Sequence, residues 1–318
     1  MLGYPEENQG KGNRPGDRSV SGTRRTRDIP GQQPGQSMKR RAVHSVLLCL
    51  AIGFAVMSHA AKAAETCASD MASRVQAGDG CFAIDFVGDP VIETGQPLVV
   101  FMHGDGGASK RGKYFGSYAD QFRMLAERKI NVLAIARPAY RLPNGPTTGI
   151  RARFNKDPYT LPVVDGLAAA LKALKAHYRP SRLVLLGHSG GSMISGIILG
   201  RHPGLADGAV LMSWACNTRQ WRQWRINSAG KRKQWLRSLS AHDHIARVPV
   251  TTRVVAMTGE RDRNTLPRFA KQCVEAMIAH GIDARFDLVT TPDARGHDSV
   301  MRSPAVTRAV MEVTGVGR

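Results

Sequence analysis

From residue 97 onward, short apolar runs alternate with stretches of helical spacing. Leu98–Met102 and residues 132–136, 183–186, 209–212, 250–257 and 284–289 are brief and rich in apolar side chains, as expected of strands buried on both faces. Between them, residues 114–128, 192–199, 266–280 and 303–313 carry helical patterns. The strongest is Leu161–Tyr178, with Val164, Leu167, Ala168, Leu171 and Leu174 on one face. This alternation predicts an α/β fold, a mostly parallel central sheet with helices on both faces. Upstream, residues 65–96 hold short β-like pieces such as 81–87, and no repeat of fixed period is present. Two stretches break the rhythm. Residues 138–160 are rich in Pro, Gly, Arg and Asn. Residues 215–248 carry Trp221, Trp224 and Trp235 among Arg219, Arg222, Arg225, Lys231, Arg232, Lys233 and Arg237.

Bulk properties adjust this picture mainly at the N-terminus. The chain has 318 residues, enough for one large domain or two small ones. Its net charge is +20, of which +14 lies after residue 63. No basic motif interleaved with aromatics accompanies the charge, so it is read as a surface property and no nucleic-acid partner is expected. Met38-Lys39-Arg40-Arg41 is a basic start, residues 42–57 are mostly apolar, and Ala61-Lys62-Ala63 is an A-x-A pattern. Residues 38–63 thus have the layout of a secretory signal peptide, with a short membrane anchor as the alternative. Residues 1–37 lack apolar periodicity and are expected to be disordered, with Met38 a possible true start. The expected product is a periplasmic or secreted domain over 64–318 that meets the membrane only during export. Cys49 would leave with the signal. Cys67, Cys81, Cys216 and Cys273 remain, which allows three pairings, and sequence proximity favours Cys67–Cys81 with Cys216–Cys273. Buried free thiols are the alternative.

The chemistry concentrates in Gly187-His188-Ser189-Gly190-Gly191, which sits between a predicted strand and a predicted helix. Strand, G-x-S-x-G, helix is the context of a nucleophile elbow, in which a sharp strained turn lifts the serine hydroxyl above the sheet edge. A serine needs a base, and the base needs an acid to orient it. Asp262 follows the strand that ends near Met257, and His297 follows the last strand. Ser189, Asp262 and His297 therefore occur in the chain order this architecture requires, with Glu260 as the rival acid. Oxyanion donors are expected from the backbone N–H of Gly190 and from the loop His103-Gly104-Asp105-Gly106-Gly107, where Asp105 is the first choice and Gly106 the second. That loop lacks the G-K-[ST] of a phosphate-binding loop, and no dinucleotide fingerprint is present. This chemistry needs no cofactor and no metal.

Together, the His103–Gly107 loop, the Gly187–Gly191 turn, Gly259-Glu260-Arg261-Asp262 and Gly296-His297 resemble the α/β-hydrolase superfamily over residues 97–315. The nearest branch is that of the dienelactone-hydrolase and prolyl-oligopeptidase-like secreted bacterial serine hydrolases. The resemblance implies an acyl-enzyme mechanism on a small-molecule ester or short peptide. His188 stands where the peptidase branch often has an aromatic residue, and no propeller domain is present, so ester cleavage is expected ahead of peptide cleavage. Acyl transfer on the same triad, or a catalytically silent binding module, are the other readings. Residues 215–248 are expected to form a partial lid. In it, Trp221 and Trp224 supply apolar wall while Arg222 and Arg225 favour an anionic group on the substrate.

Overall fold

The computed structural model describes residues 67–87, 94–106, 119–152, 157–231, 235–291 and 296–317. The predicted signal peptide, its cleavage pattern, the 1–37 extension and Gly107 lie outside them. The strands are β1 (Arg74–Ala77), β2 (Gly80–Phe86), β3 (Leu98–Met102), β4 (Asn131–Ile135), β5 (Arg141–Leu142), β6 (Gly145–Pro146), β7 (Leu183–His188), β8 (Gly208–Met212), β9 (Arg253–Gly259) and β10 (Asp283–Val289). The helices are α1 (Ala119–Ala126), α2 (Leu161–Tyr178), α3 (Gly190–Arg201), α4 (Thr218–Ala229), α5 (Pro267–Ala279) and α6 (Pro304–Thr314). Eight strands form one sheet in the order β1-β2-β4-β3-β7-β8-β9-β10, and β5 and β6 form a small separate hairpin. Pairing from β4 through β10 is parallel, while β1–β2 and β2–β4 are antiparallel.

Successive side chains of a strand point to opposite faces, so the unbroken apolar runs of β3, β7 and β8 keep both faces dry. Val100, Leu185, Leu211 and Ala256 point to one side, where Leu167 and Leu171 of α2, Ile194 and Ile197 of α3, and Phe269 of α5 cover them. Phe101, Leu186, Val210 and Val255 point to the other side, against Phe122 and Leu125 of α1 and Val306, Val310 and Val313 of α6. All the strand residues named are essentially inaccessible. Among the described residues, no helix is long and apolar enough to cross a membrane.

The strand predicted over 250–257 begins later, at Arg253. Pro249 starts a turn closed by the Thr252 N–H on the Pro249 carbonyl, which leaves Val250 exposed. Residues 215–248 are not an irregular loop, since they contain α4 and a short 3-10 turn over Ala241–Arg247. The Asn217 side chain accepts the Gln220 N–H at the start of α4, and Gly230 in the left-handed region ends it. Disulfides join Cys67 to Cys81 and Cys216 to Cys273. The second ties the approach to α4 onto α5, so this excursion is fixed to the domain at its base. Because the central strands run parallel, β3, β4, β7 and β9 all end at one sheet edge, and the loops that leave them meet there.

Candidate active site

The turn after β7 places Ser189 at that edge. Ser189 has φ 52° and ψ −115°, a conformation that L-residues rarely adopt. The surroundings hold it there: its N–H donates to the Met212 carbonyl at 2.9 Å, and Ser192 Oγ donates to the same oxygen at 2.7 Å. A side chain at Gly187 or Gly191 would collide with backbone, with Ser192 in the first case and Met102 in the second. The sequence pattern thus reflects crowding between the turn and the sheet.

His297 Nε2 lies 3.0 Å from Ser189 Oγ, and His297 Nδ1 lies 2.8 Å from Asp262 Oδ2. Asp262 is buried, and Oδ1 accepts the N–H groups of Asn264 and Thr265 while Oδ2 also accepts Thr265 Oγ1–H. Burial alone pushes this carboxyl up. The hydrogen bond and charge of His297, with the Thr265 donors, outweigh it and hold Asp262 below the usual carboxylate range. Glu260 is elsewhere, with its carboxylate 3.7 Å from Arg261 and within reach of Thr290. The His297 carbonyl accepts from His188 Nε2 at 2.9 Å and Ser213 Oγ at 3.0 Å, so the histidine loop is anchored by its backbone. His188 is buried beside His297. Burial, then the neighbouring imidazole, pushes its pKa down to about 4. His188, His297 and Asp298 lie close enough together to suggest a metal cluster. The nitrogens of His297 are however taken by Asp262 and Ser189, and His188 Nε2 by a carbonyl, so the donor set suits proton chemistry better.

The loop after β3 is held by a network that sequence reasoning missed. Asp105 Oδ1 accepts from Arg137 Nη2 at 2.8 Å, Oδ2 accepts from Tyr159 Oη–H at 2.7 Å, and the Asp105 carbonyl accepts from Tyr140 Oη–H at 3.0 Å. All three donors come from the chain between β4 and α2, and two of them, Tyr140 and Tyr159, belong to the 138–160 excursion, which with Arg137 clamps this loop. Arg137 is buried and its guanidinium lies 4.5 Å over the Tyr140 ring. Burial opposes its charge, but Tyr140 and Asp105 outweigh that and push its pKa further up. His103 braces the same corner. Its Nδ1–H donates to the Gly104 carbonyl at 2.8 Å, and its Nε2 faces the Arg137 N–H at 3.4 Å. Burial, then the charge of Arg137, pushes the His103 pKa down to about 3. Gly190 follows the serine and opens α3, so its N–H is one of the helix-terminal donors without an intrahelical partner. A Cβ at Gly190 would come within 2.1 Å of Asp105 Oδ1 and 2.7 Å of Arg137 Nη1. The clamp therefore sits directly against the elbow.

Ser189 and His297 open into a cavity of about 430 Å³, which is also lined by Gly104, Asp105, Gly106, Trp221, Arg222, Arg225, Trp235 and Asn264. Helix α4 forms one wall. The expectation for Trp224 is corrected here: it packs on Phe269 of α5, with ring centroids 5.7 Å apart, and does not line the cavity. Trp235 takes the wall position instead. Its ring lies tilted against Trp221 at 5.7 Å and edge-on to Tyr159 at 5.4 Å, which links this wall to the Asp105 clamp. Asn264 and Thr265 had a visible signal, since they follow Asp262 in one loop. Arg137 had a weaker one, its place just beyond β4 at the functional edge.

A model of the prolyl oligopeptidase family matches residues 156–312. No curated protein sequence matches the chain. Among solved structures, the chain is similar to the Pyrococcus furiosus esterase Pf2001, with TM-score 0.55 and 16% identity over 76% of this chain and 88% of that one. It is similar to Est1E of Butyrivibrio proteoclasticus, solved with ferulic acid bound, with TM-score 0.56 and 14% identity over 77% and 100%. It is also similar to the Pyrococcus horikoshii acylaminoacyl peptidase, with TM-score 0.53 and 12% identity over 75% of this chain but 40% of that one. At these identities the likenesses show a shared fold.

Proposed function

We propose that the chain is a serine hydrolase of the α/β-hydrolase superfamily, on its prolyl-oligopeptidase-like branch, and that it cleaves carboxylic esters through an acyl-enzyme on Ser189, a reading supported by the family match over residues 156–312 and by the shared fold. The observation that carries this reading is the unbroken hydrogen-bonded line from Ser189 Oγ through His297 to buried Asp262. Ser189 Oγ attacks the ester carbonyl carbon while His297 Nε2 takes the hydroxyl proton. Asp262 keeps the imidazole oriented and stabilises the imidazolium. The carbonyl electrons move onto oxygen, and the Gly190 and Asp105 N–H groups face the resulting oxyanion, with Gly106 as the neighbouring donor. Collapse expels the alcohol, which leaves with the proton from His297. Water then attacks the acyl-enzyme, gives its proton to His297, and the acid departs as Ser189 regains its hydrogen.

Two observations favour a second reading, cleavage of short peptides: the family match and the likeness to an acylaminoacyl peptidase fold. The cavity does not bar it. A panel of p-nitrophenyl esters beside aminoacyl p-nitroanilides separates the two. Ester turnover well above anilide turnover supports the proposal, and the reverse overturns it. Failure of Ser189 to react with a fluorophosphonate would overturn both and favour a silent binding module. The two disulfides suit an oxidising compartment, and we place the protein in the periplasm or outside the cell. Mass spectrometry of the exported protein is expected to show an N-terminus between residues 61 and 65. A chain that retains Met38 and fractionates with membranes would refute this.

A further inference from the structure

One residue joins the cavity wall to the proposed base. Asn264 lies in the loop after Asp262, and helix α4 holds it at two atoms. Trp221 Nε1–H donates to the Asn264 backbone carbonyl at 2.8 Å, and Arg225 Nη1 donates to Asn264 Oδ1 at 2.6 Å. The Asn264 backbone N–H donates to Asp262 Oδ1 at 2.8 Å, which ties the same loop to the acid. The remaining polar atom, Nδ2, lies 3.0 Å from His297 Nε2, and the residue borders the cavity.

The direction of that last contact follows from its neighbours. A guanidinium has hydrogens to give and no lone pair to accept with. Arg225 therefore requires the amide oxygen on its side, and the amide nitrogen must point at His297. On the imidazole, Nδ1 faces the Asp262 carboxylate and carries the hydrogen, which leaves Nε2 with a single lone pair in the ring plane. Two donors aim at that lone pair from the same distance, Ser189 Oγ–H and Asn264 Nδ2–H, both at 3.0 Å. One lone pair makes one well-aligned hydrogen bond. The contest becomes a clash once the base has taken a proton. Nε2–H then faces Nδ2–H, and turning the amide over to offer Oδ1 sets Nδ2–H against Arg225. Either orientation opposes two donors, a cost the neutral imidazole does not meet.

We propose that Asn264 is a positioning residue that acts as a brake on the base. Held by α4, it competes with Ser189 for His297 Nε2 and disfavours the imidazolium that acylation forms. The proposal rests on the reading of Ser189 as the nucleophile. The step it slows is the passage of the Ser189 hydroxyl proton to Nε2 as Oγ attacks. The other ionisable groups beside the imidazole are Asp262 on Nδ1, His188, whose ring centroid lies 5.2 Å away, and Asp298, next in the chain. None of them depends on the Asn264 amide for its contacts with His297, so the amide can be changed by itself. Its loss should raise the rate, whereas loss of a residue that merely supports the site lowers it.

The test follows the bimolecular rate of fluorophosphonate labelling, in which the bond from Ser189 Oγ to phosphorus forms, fluoride leaves and the hydroxyl proton passes to His297 Nε2. Asn264→Ala removes the amide and should label about two- to ten-fold faster than wild type, the span of one net hydrogen bond. Asn264→Asp keeps the shape and the Arg225 contact but has no hydrogen to give, so it should label at least as fast as Asn264→Ala. The backbone bonds to Asp262 and Trp221 survive both changes. A folded Asn264→Ala protein that labels no faster than wild type overturns the brake. Where that variant does not fold, Asn264→Asp decides by the same criterion. Labelling of the wild type with no gain in the variants refutes the brake alone. Absence of labelling in the wild type and the variants alike refutes the nucleophile, and the brake with it.

Discussion

Replacing Arg137 with methionine tests whether the buried clamp on Asp105 sets the oxyanion donors. The substitution keeps most of the side-chain volume and removes the 2.8 Å bond from Nη2 to Asp105 Oδ1. Breaking a buried ion pair typically costs about 3–5 kcal/mol, because the surviving charge stays buried and unpaired. Two features of this site lower that figure. The Asp105 side chain is 26% exposed at the cavity and keeps Tyr159 as a donor, so water replaces what is lost. Arg137 itself is 1% exposed, with Nε and Nη1 lacking hydrogen-bond partners, and methionine relieves that desolvation. The expected stability loss is therefore about 1–2 kcal/mol. The effect on turnover should be larger. Losing one oxyanion donor costs about 10²–10³ in kcat. Here the donor remains but one of its three tethers is gone, so a fall of about 10–100-fold is expected, mostly in kcat and little in KM. Urea denaturation gives the first quantity, and p-nitrophenyl butyrate kinetics, normalised by fluorophosphonate titration, gives the second. Tyr159→Phe should lie between wild type and Arg137→Met. A folded Arg137→Met enzyme with kcat within about twofold of wild type would show that the loop needs no clamp and would refute this reasoning.

Ser189→Ala should lower kcat by about 10⁶-fold, with His297→Ala comparable and Asp262→Asn nearer 10⁴-fold. Steady-state ester kinetics on folded protein decides this, and a Glu260→Gln defect larger than that of Asp262→Asn would reassign the acid. Gly190→Ala keeps the N–H but drives a methyl into Asp105 Oδ1, so it should abolish turnover while far-UV circular dichroism stays native. Activity near wild type would mean that loop and elbow are not in register. Acid should destabilise the fold in two steps. His103 and His188 titrate near 3 and 4 when folded, but near 6.5 when unfolded. The unfolded chain thus binds more protons as pH falls below about 6.5, and stability drops by up to about 1.4 kcal/mol per pH unit for each histidine until the folded values are reached. Asp262 and Asp165 are held below the ordinary carboxylate range, Asp165 by its hydrogen bond from Arg201 despite burial. They add a further loss only below about pH 4. Urea midpoints that stay flat from pH 7 to pH 4.5 would contradict the histidine step.

The parts of this molecule that could be read from sequence are those fixed by local sterics. The unbroken apolar run of Leu98–Met102 and the helical spacing in Leu161–Tyr178 follow from backbone geometry, so the sheet and its layers emerge without knowledge of partners. The elbow is legible for the same reason, because a serine squeezed between a strand and a helix tolerates only glycine at 187 and 191. Residues whose role depends on a distant partner could not be read. Arg137 is 32 positions from Asp105, and Tyr159 is 54 from it. In a chain of charge +20 a single arginine looks like surface. Helix α4 shows where pattern stops being informative. Trp221, Trp224 and Arg225 fall on one arc of the helix at about 100° per residue, so spacing sends all three the same way. Their neighbours separate them. Phe269, on the helix to which Cys273 ties this segment, takes Trp224 away from the cavity, while Asn264 holds Arg225 at it. The same disulfide thus bears on which side chains face the cavity. A cavity wall built this way is set by how two helices dock, and no reading of either helix alone could have found it.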